Sequence, residues 1–150
     1  MGGLRAAESL RRFGYAGPIV AIGDEAYPPY NRPPLSKEVL AAEVSLEAVA
    51  FPQRPATADV DWKLGTKVVS ANLAAGTVET DKGEVIEYSK LLIATGLRPK
   101  RQDYPNNLTV GRHVIRGLDD ALALRAALKP GARVVILGAG FIGCETAATA

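Results

Sequence analysis

Apolar residues recur at three-residue spacing in Leu4, Ala7, Leu10 and Phe13, with Arg5, Glu8, Arg11 and Arg12 between them, which predicts an amphipathic helix closed by Gly14 and Gly17. Pro18 to Ile22 follows as a short buried strand ending at Asp24 and Glu25. A proline-rich loop from Tyr27 to Leu35 comes next, and Ser36 is the expected N-cap of a short helix through Leu40. Residues 50 to 67 read as irregular, because Pro52 and Pro55 are incompatible with a central strand. The pattern then changes to alternation: Lys67–Ala71, Thr77–Thr80 and Val85–Tyr88 predict a β-meander, with Asp81-Lys82-Gly83 as a turn. Leu91–Ala94 predicts another buried strand, Pro99–Asn107 a loop, and His113–Arg116 a short extended piece. Asp119–Leu128 is an expected helix stopped by Pro130-Gly131. The last pair of elements is an expected buried parallel strand, Ala132–Leu137, and a helix from Cys144 to Ala150.

Between these two lies Gly138-Ala139-Gly140-Phe141-Ile142-Gly143. A strand, a GxGxxG turn and a helix form the unit that cradles a dinucleotide pyrophosphate. Gly138 permits the tight turn, Gly140 lets amides approach the phosphates, and Gly143 lets the helix pack closely. The helix N-terminus adds unpaired N–H groups and a partial positive charge. The acidic residue that would read the ribose lies about 20 residues further on, past Ala150, so NADH versus NADPH is not readable. At the other end, Gly2 and Gly3 open a helix, and Asp24 closes a strand at nearly the same spacing from Gly3. That pattern echoes the first and marks Gly3 and Asp24 as candidates for a second dinucleotide, with Glu25 competing for the ribose role. Two such sites in one chain point to electron transfer between two dinucleotides.

Composition narrows the field. The 150 residues are 47% hydrophobic and 23% charged, as in ordinary globular proteins. A net charge of +2 argues against a nucleic-acid or membrane-surface partner. No apolar run approaches the roughly 20 residues of a bilayer span, and no signal-peptide layout opens the chain. One cysteine and one histidine exclude an internal disulfide and argue against a His/Cys metal site. A cytoplasmic setting is the expectation. Cys144 reads as a small packing residue, and His113 as structural.

The run Gly23-Asp24-Glu25, then Pro29-Tyr30-Asn31-Arg32-Pro33-Pro34-Leu35-Ser36-Lys37, resembles the FAD-binding segment of the ferredoxin reductases of bacterial oxygenase systems, within the pyridine nucleotide-disulfide oxidoreductase superfamily. Leu91 to Pro99 is similar to the strand that closes over FAD in that family, Ile115 to Ala121 to its crossover, and Gly138 to Ala147 to its NADH fingerprint. The paired cysteines of disulfide reductases have no counterpart between Asn31 and Lys37.

The resemblance implies an α/β fold: a Rossmann-like FAD-binding domain over residues 1–116, with a parallel sheet plus β-meander, running into the start of a second Rossmann-like, NAD(P)-binding domain over 117–150. It also implies that the chain is a piece cut at both ends, expected to hold FAD poorly alone. By the same resemblance Asp24 binds the adenosine ribose, and Arg32 and Lys37 lie along the flavin. Val68 contacts the adenine end. Ala94, Thr95 and Gly96 lie near the cofactor, and Arg116 reaches it from the crossover. Phe141 and Ile142 complete the NAD(P)H fingerprint. Lys37 and Glu145 are expected to form an ion pair near the flavin. The implied activity is transfer of electrons from NAD(P)H through FAD to a small iron–sulfur protein, ferredoxin or rubredoxin. An NADH oxidase, a nitrite-reductase-type flavoprotein, and a silent or binding flavoprotein of the apoptosis-inducing-factor type stay open.

Overall fold

The computed structural model describes residues 1–101 and 111–150, so the expected loop is seen only at its start, and 102–107 of it lies outside the described residues. The chain divides into two compact units: Met1–Tyr30 with Ala50–Gly96, and Asn31–Val49 with Leu97–Ala150.

In the first unit, helix α1 (Gly2–Arg12) buries Leu4 and Ala7, but the apolar stripe stops there. Leu10 is partly exposed and Phe13 ends the helix in solvent, with the Arg12 guanidinium 4.9 Å from its ring centroid. Strand β1 (Val20–Ile22) pairs in parallel with β2 (Asp61–Lys63), Ala21 facing Trp62. β2 falls inside the stretch read as irregular. Prolines forbid a strand only where they stand, and Pro52 and Pro55 end in a 3-10 turn, Pro55–Thr57, ahead of it. The meander forms as expected: β3 (Val68–Asn72), β4 (Thr77–Thr80) and β5 (Val85–Glu87) make an antiparallel sheet in that order. Val78, Thr80, Val60, Thr57 and Tyr30 are buried here. Residues 91–94 take no place in a sheet, and Leu92 and Ile93 stand in solvent. A continuous apolar run favours a buried strand, but a ladder needs a neighbouring strand.

The second unit is built on the proline loop. Pro33–Ser36 forms a 3-10 turn, and helix α2 (Glu38–Ala41) starts only after Lys37. Ser36 is therefore not the cap; its hydroxyl is used elsewhere. Helix α3 (Leu46–Val49), which the apolar pattern does not announce, follows. Helix α4 (Leu118–Ala127) begins at Gly117, where Asp120 Oδ2 accepts the amides of Arg116 at 3.0 Å and Gly117 at 2.8 Å. Helix α5 (Phe141–Thr149) begins at Gly140. Leu35, Val39, Leu40, Leu118 and Ala121 are the core, each large side chain contributing about 2 kcal/mol by burial. Residues 132–137 form no ladder either, leaving Val135 and Leu137 exposed. Among the described residues no helix is long and apolar enough to cross a membrane.

Candidate functional site

The glycine loop before α5 has the properties its sequence pattern requires. Gly138 adopts φ +117°, a backbone conformation that side chains oppose. A Cβ on Gly143 would lie 2.1 Å from the Gly138 carbonyl oxygen, so helix and loop meet through bare backbone. A Cβ on Gly140 would meet nothing within 4 Å. No side chain caps α5, whose first-turn amides lack intrahelical acceptors. The result is an open cradle of N–H groups, free of side chains and carrying the positive end of a helix dipole. Those features fit a pyrophosphate. Phe141 and Ile142, within that first turn, are exposed.

One turn further along α5, Glu145 meets the proline loop. Its Oε2 lies 2.7 Å from Lys37 Nζ and 2.6 Å from Ser36 Oγ. Lys37 Nζ also lies 3.3 Å from the Pro33 carbonyl. Lys37 and then Ser36 hold the Glu145 carboxyl below its ordinary pKa, outweighing the opposing effect of burial. The pair sets a positive and a negative charge side by side on adjoining elements of one unit. Such a pair can orient an incoming polar group and favour negative charge that develops beside the lysine. Arg32 donates to the Arg116 carbonyl, and Arg116 Nε donates to Leu97 O at 3.0 Å. These two arginines thus join the proline loop, the crossover and residue 97.

The first unit gathers the other candidates. α1 begins with Gly2 and Gly3 without a side-chain cap, and a Cβ on Gly3 would meet nothing within 4 Å. A Cβ on Gly2 would touch Ala94 Cβ at 3.6 Å, so the helix start lies against the extended segment that runs on through Thr95 to Gly96. Gly96 takes φ +72°, which only glycine adopts freely. Asp24 is exposed just beyond β1, whereas the Glu25 carboxylate accepts the Tyr30 hydroxyl. That difference separates the two acidic candidates: Asp24 presents its carboxylate to solvent and Glu25 is tied to an aromatic. Val68 opens β3 opposite Thr80, at a register shift before Ser70, and is partly exposed. An open helix start, a side-chain-poor segment beside it and a carboxylate after β1 fit a second dinucleotide.

Two readings need correction. Cys144 is exposed, with Sγ 3.5 Å from Ala139 O, because no described element lies against that face of α5. Ser36, read as a helix cap, is instead a buried donor to Glu145. Nothing in the spacing marks it; only its adjacency to Lys37 pointed in its direction. His113 is exposed. Among the described residues no group of three or more potential ligands could hold a metal ion.

The chain is 42% identical over 151 residues to the ferredoxin–NAD(+) reductase component of the biphenyl dioxygenase system of Paraburkholderia xenovorans (strain LB400), covering 100% of this chain and 37% of that protein. The ferredoxin reductase for the CYP199A2 system from Rhodopseudomonas palustris superposes with a TM-score of 0.89 at 36% identity, over 98% of this chain and 37% of that one. The covalent putidaredoxin reductase–putidaredoxin complex gives a TM-score of 0.79 at 32% identity, over 98% and 36%. The chain thus spans about a third of the length of these relatives. The model of the pyridine nucleotide-disulphide oxidoreductases matches residues 1–150, and the chain belongs to that family.

Proposed function

We propose that the protein carrying this chain is a cytoplasmic flavoprotein oxidoreductase that passes electrons from NAD(P)H through FAD to a small iron–sulfur protein, a ferredoxin or rubredoxin supplying an oxygenase. The observation that carries the reading is α5, which offers a bare glycine cradle at its start and Glu145, paired with Lys37, one turn later. The reductase relatives at 42% and 32% identity support the choice of partner class. When bound, FAD would supply the chemistry that couples a two-electron nicotinamide donor to a one-electron carrier.

The residues of this chain bind and orient. Residues 1–116 form the FAD-binding part, with Gly3 at the pyrophosphate, Asp24 on the ribose and Val68 at the adenine end. Ala94, Thr95 and Gly96 line the side-chain-poor wall, and Arg32 and Arg116 brace the flavin side. Residues 117–150 begin the NAD(P)-binding part, with Gly138, Gly140 and Gly143 around the second pyrophosphate and Phe141 and Ile142 on the first turn. Lys37 supplies positive charge beside the reacting ring and Glu145 holds the lysine there.

The test is stopped-flow reduction of the FAD-loaded protein by NADH, followed by reoxidation with an added ferredoxin or with oxygen. Electron delivery to ferredoxin should outpace that to oxygen and slow with added salt. Equal rates with the two acceptors would overturn the reading in favour of an oxidase.

A further inference from the structure

Two donors converge on one oxygen. Lys37 Nζ and Ser36 Oγ both contact Glu145 Oε2, yet their settings differ: the Lys37 and Glu145 side chains are 42% and 31% exposed, while Ser36 is 3% exposed. A partly exposed ion pair between flexible side chains is weakly held and samples several geometries. A buried hydroxyl at 2.6 Å from a carboxylate is a short, charge-assisted bond with one allowed direction. Serine has a single hydroxyl hydrogen, and its other acceptor, the Pro33 carbonyl, is 3.4 Å away. The hydrogen therefore goes to Glu145.

The backbone of Ser36 also lies against the same helix. Thr149 Oγ1 stands 2.8 Å from the Glu145 carbonyl and 3.1 Å from the Ser36 carbonyl, so its single hydroxyl hydrogen is divided between the helix and Ser36, and the side chain of Ser36 makes the firmer link to α5. Three other charged side chains of this unit are engaged elsewhere. Arg32 reaches the Arg116 carbonyl, Arg125 reaches the Val39 and Ala42 carbonyls, and Asp120 takes the amides before α4. Lys37 is the cation that meets Glu145.

We infer that Ser36 is a positioning residue: its hydroxyl fixes the Glu145 carboxylate through Oε2, and Glu145 in turn fixes the Lys37 ammonium at the reacting face. This rests on the proposed role of the Lys37–Glu145 pair and adds to it. Ser36 also shares the negative charge of Glu145, leaving Lys37 less neutralised and better able to attract negative charge developing beside it. Loss of the hydroxyl leaves the carboxylate leaning on the lysine alone and free to rotate. A hydrogen bond to the ionised form lowers a carboxyl pKa, so its loss raises the Glu145 pKa.

The experiment compares Ser36→Ala, Ser36→Thr, Lys37→Ala and Glu145→Ala in the FAD-loaded protein. It measures the rate of flavin reduction by NADH, the NADH concentration for half-maximal rate, and, with 13C-labelled glutamate, the NMR titration of the Glu145 carboxyl. Ser36→Ala should slow reduction about tenfold, leave the half-saturating NADH concentration within about twofold and move the Glu145 titration to higher pH. Ser36→Thr, which keeps the hydroxyl, should restore the titration and most of the rate. If Lys37→Ala and Glu145→Ala slow reduction while Ser36→Ala changes neither rate nor titration, the positioning role is overturned and the pair keeps its own. If Ser36→Ala moves the titration but neither pair variant slows reduction, the catalytic reading of the pair falls, and the positioning role with it.

Discussion

Lys37 and Glu145 are an ion pair on partly exposed side chains, and their value lies in placement more than in stability. In the FAD-loaded protein Lys37→Ala and Glu145→Ala should each slow flavin reduction by NADH. The double variant should lose less than the product of the two single effects, because each removes the same interaction. Strictly multiplicative losses would show that the two side chains act separately. Since Lys37 and Ser36 lower the Glu145 pKa in the folded state, the stabilisation from this carboxylate is complete above its ordinary value of 4.5. It is lost as pH falls through the lowered folded value. Acid unfolding followed by circular dichroism should therefore show a shallower pH dependence in Glu145→Gln below about pH 4.5. The arginine doublet at the end of α1 divides in a similar way. Arg11 Nη1 donates to the carbonyls of Tyr15 at 2.6 Å and Gly17 at 2.9 Å, and Arg11 Nη2 lies 2.8 Å from Asp59. It is a structural clamp within its own unit. Arg11→Ala should cost about 1 kcal/mol in urea unfolding, whereas Arg12→Ala should cost no more than about 0.5 kcal/mol.

Elements here depend on backbone contacts that tolerate no side chain. The approach of α5 to the Gly138 carbonyl leaves 2.1 Å where a Cβ on Gly143 would sit, and the obstacle is main chain, which cannot rotate aside. Gly143→Ala must push the start of α5 away from its loop, at a cost of about 1–3 kcal/mol. The affinity for NADH, measured by titration of the FAD-loaded protein, should fall at least tenfold. Gly140→Ala, with open space in front of it, should leave stability nearly unchanged while still reducing NADH affinity, because its methyl enters the cradle. Comparable losses of stability in both variants would contradict this division. At α4 the Asp120 carboxylate holds two amides, so Asp120→Ala should lower stability by about 1 kcal/mol. Faster amide exchange at Arg116 and Gly117 would report the loss directly.

At the scale of the whole molecule, apolar surface is unevenly covered. Leu92, Ile93, Val135, Leu137 and Phe141 are 65%, 75%, 84%, 72% and 90% exposed, in segments that join no ladder or that begin a helix. Extended apolar segments without a ladder are exposed patches of the kind that bind other apolar surfaces. The 150-residue chain by itself should bind a hydrophobic dye and associate with rising concentration. Ile93→Lys and Val135→Lys should each reduce both effects. A monodisperse monomer that takes up no dye would refute the expectation.

Local pattern was enough to predict the amphipathic start of α1, the meander with its Asp81–Gly83 turn, a helix from Asp119 that matches α4 to within a residue at its start, and the glycine loop before α5. Each of those depends on neighbours in the chain: turn residues, capping carboxylates, and glycines whose φ or close approach forbids a Cβ. The family resemblance rested on the same short runs, notably Pro33–Lys37 and Leu91–Pro99. Pairing between distant segments was less legible. β2 joins β1 across some forty positions, and three residues with no strong periodicity gave no sign of it. The segments at 91–94 and 132–137 have strand-like composition but no ladder, since hydrogen-bonding partners are a tertiary property. The short end of the α1 stripe at Ala7, the exposure of Cys144 and the clamp made by Arg11 were likewise decided by what lies opposite each face. The site shows the division most clearly: sequence supplied Lys37, Glu145 and the glycine cradle, and only the folding of α5 against the Pro33–Ser36 turn turned Ser36 from an expected helix cap into the buried donor that holds them together.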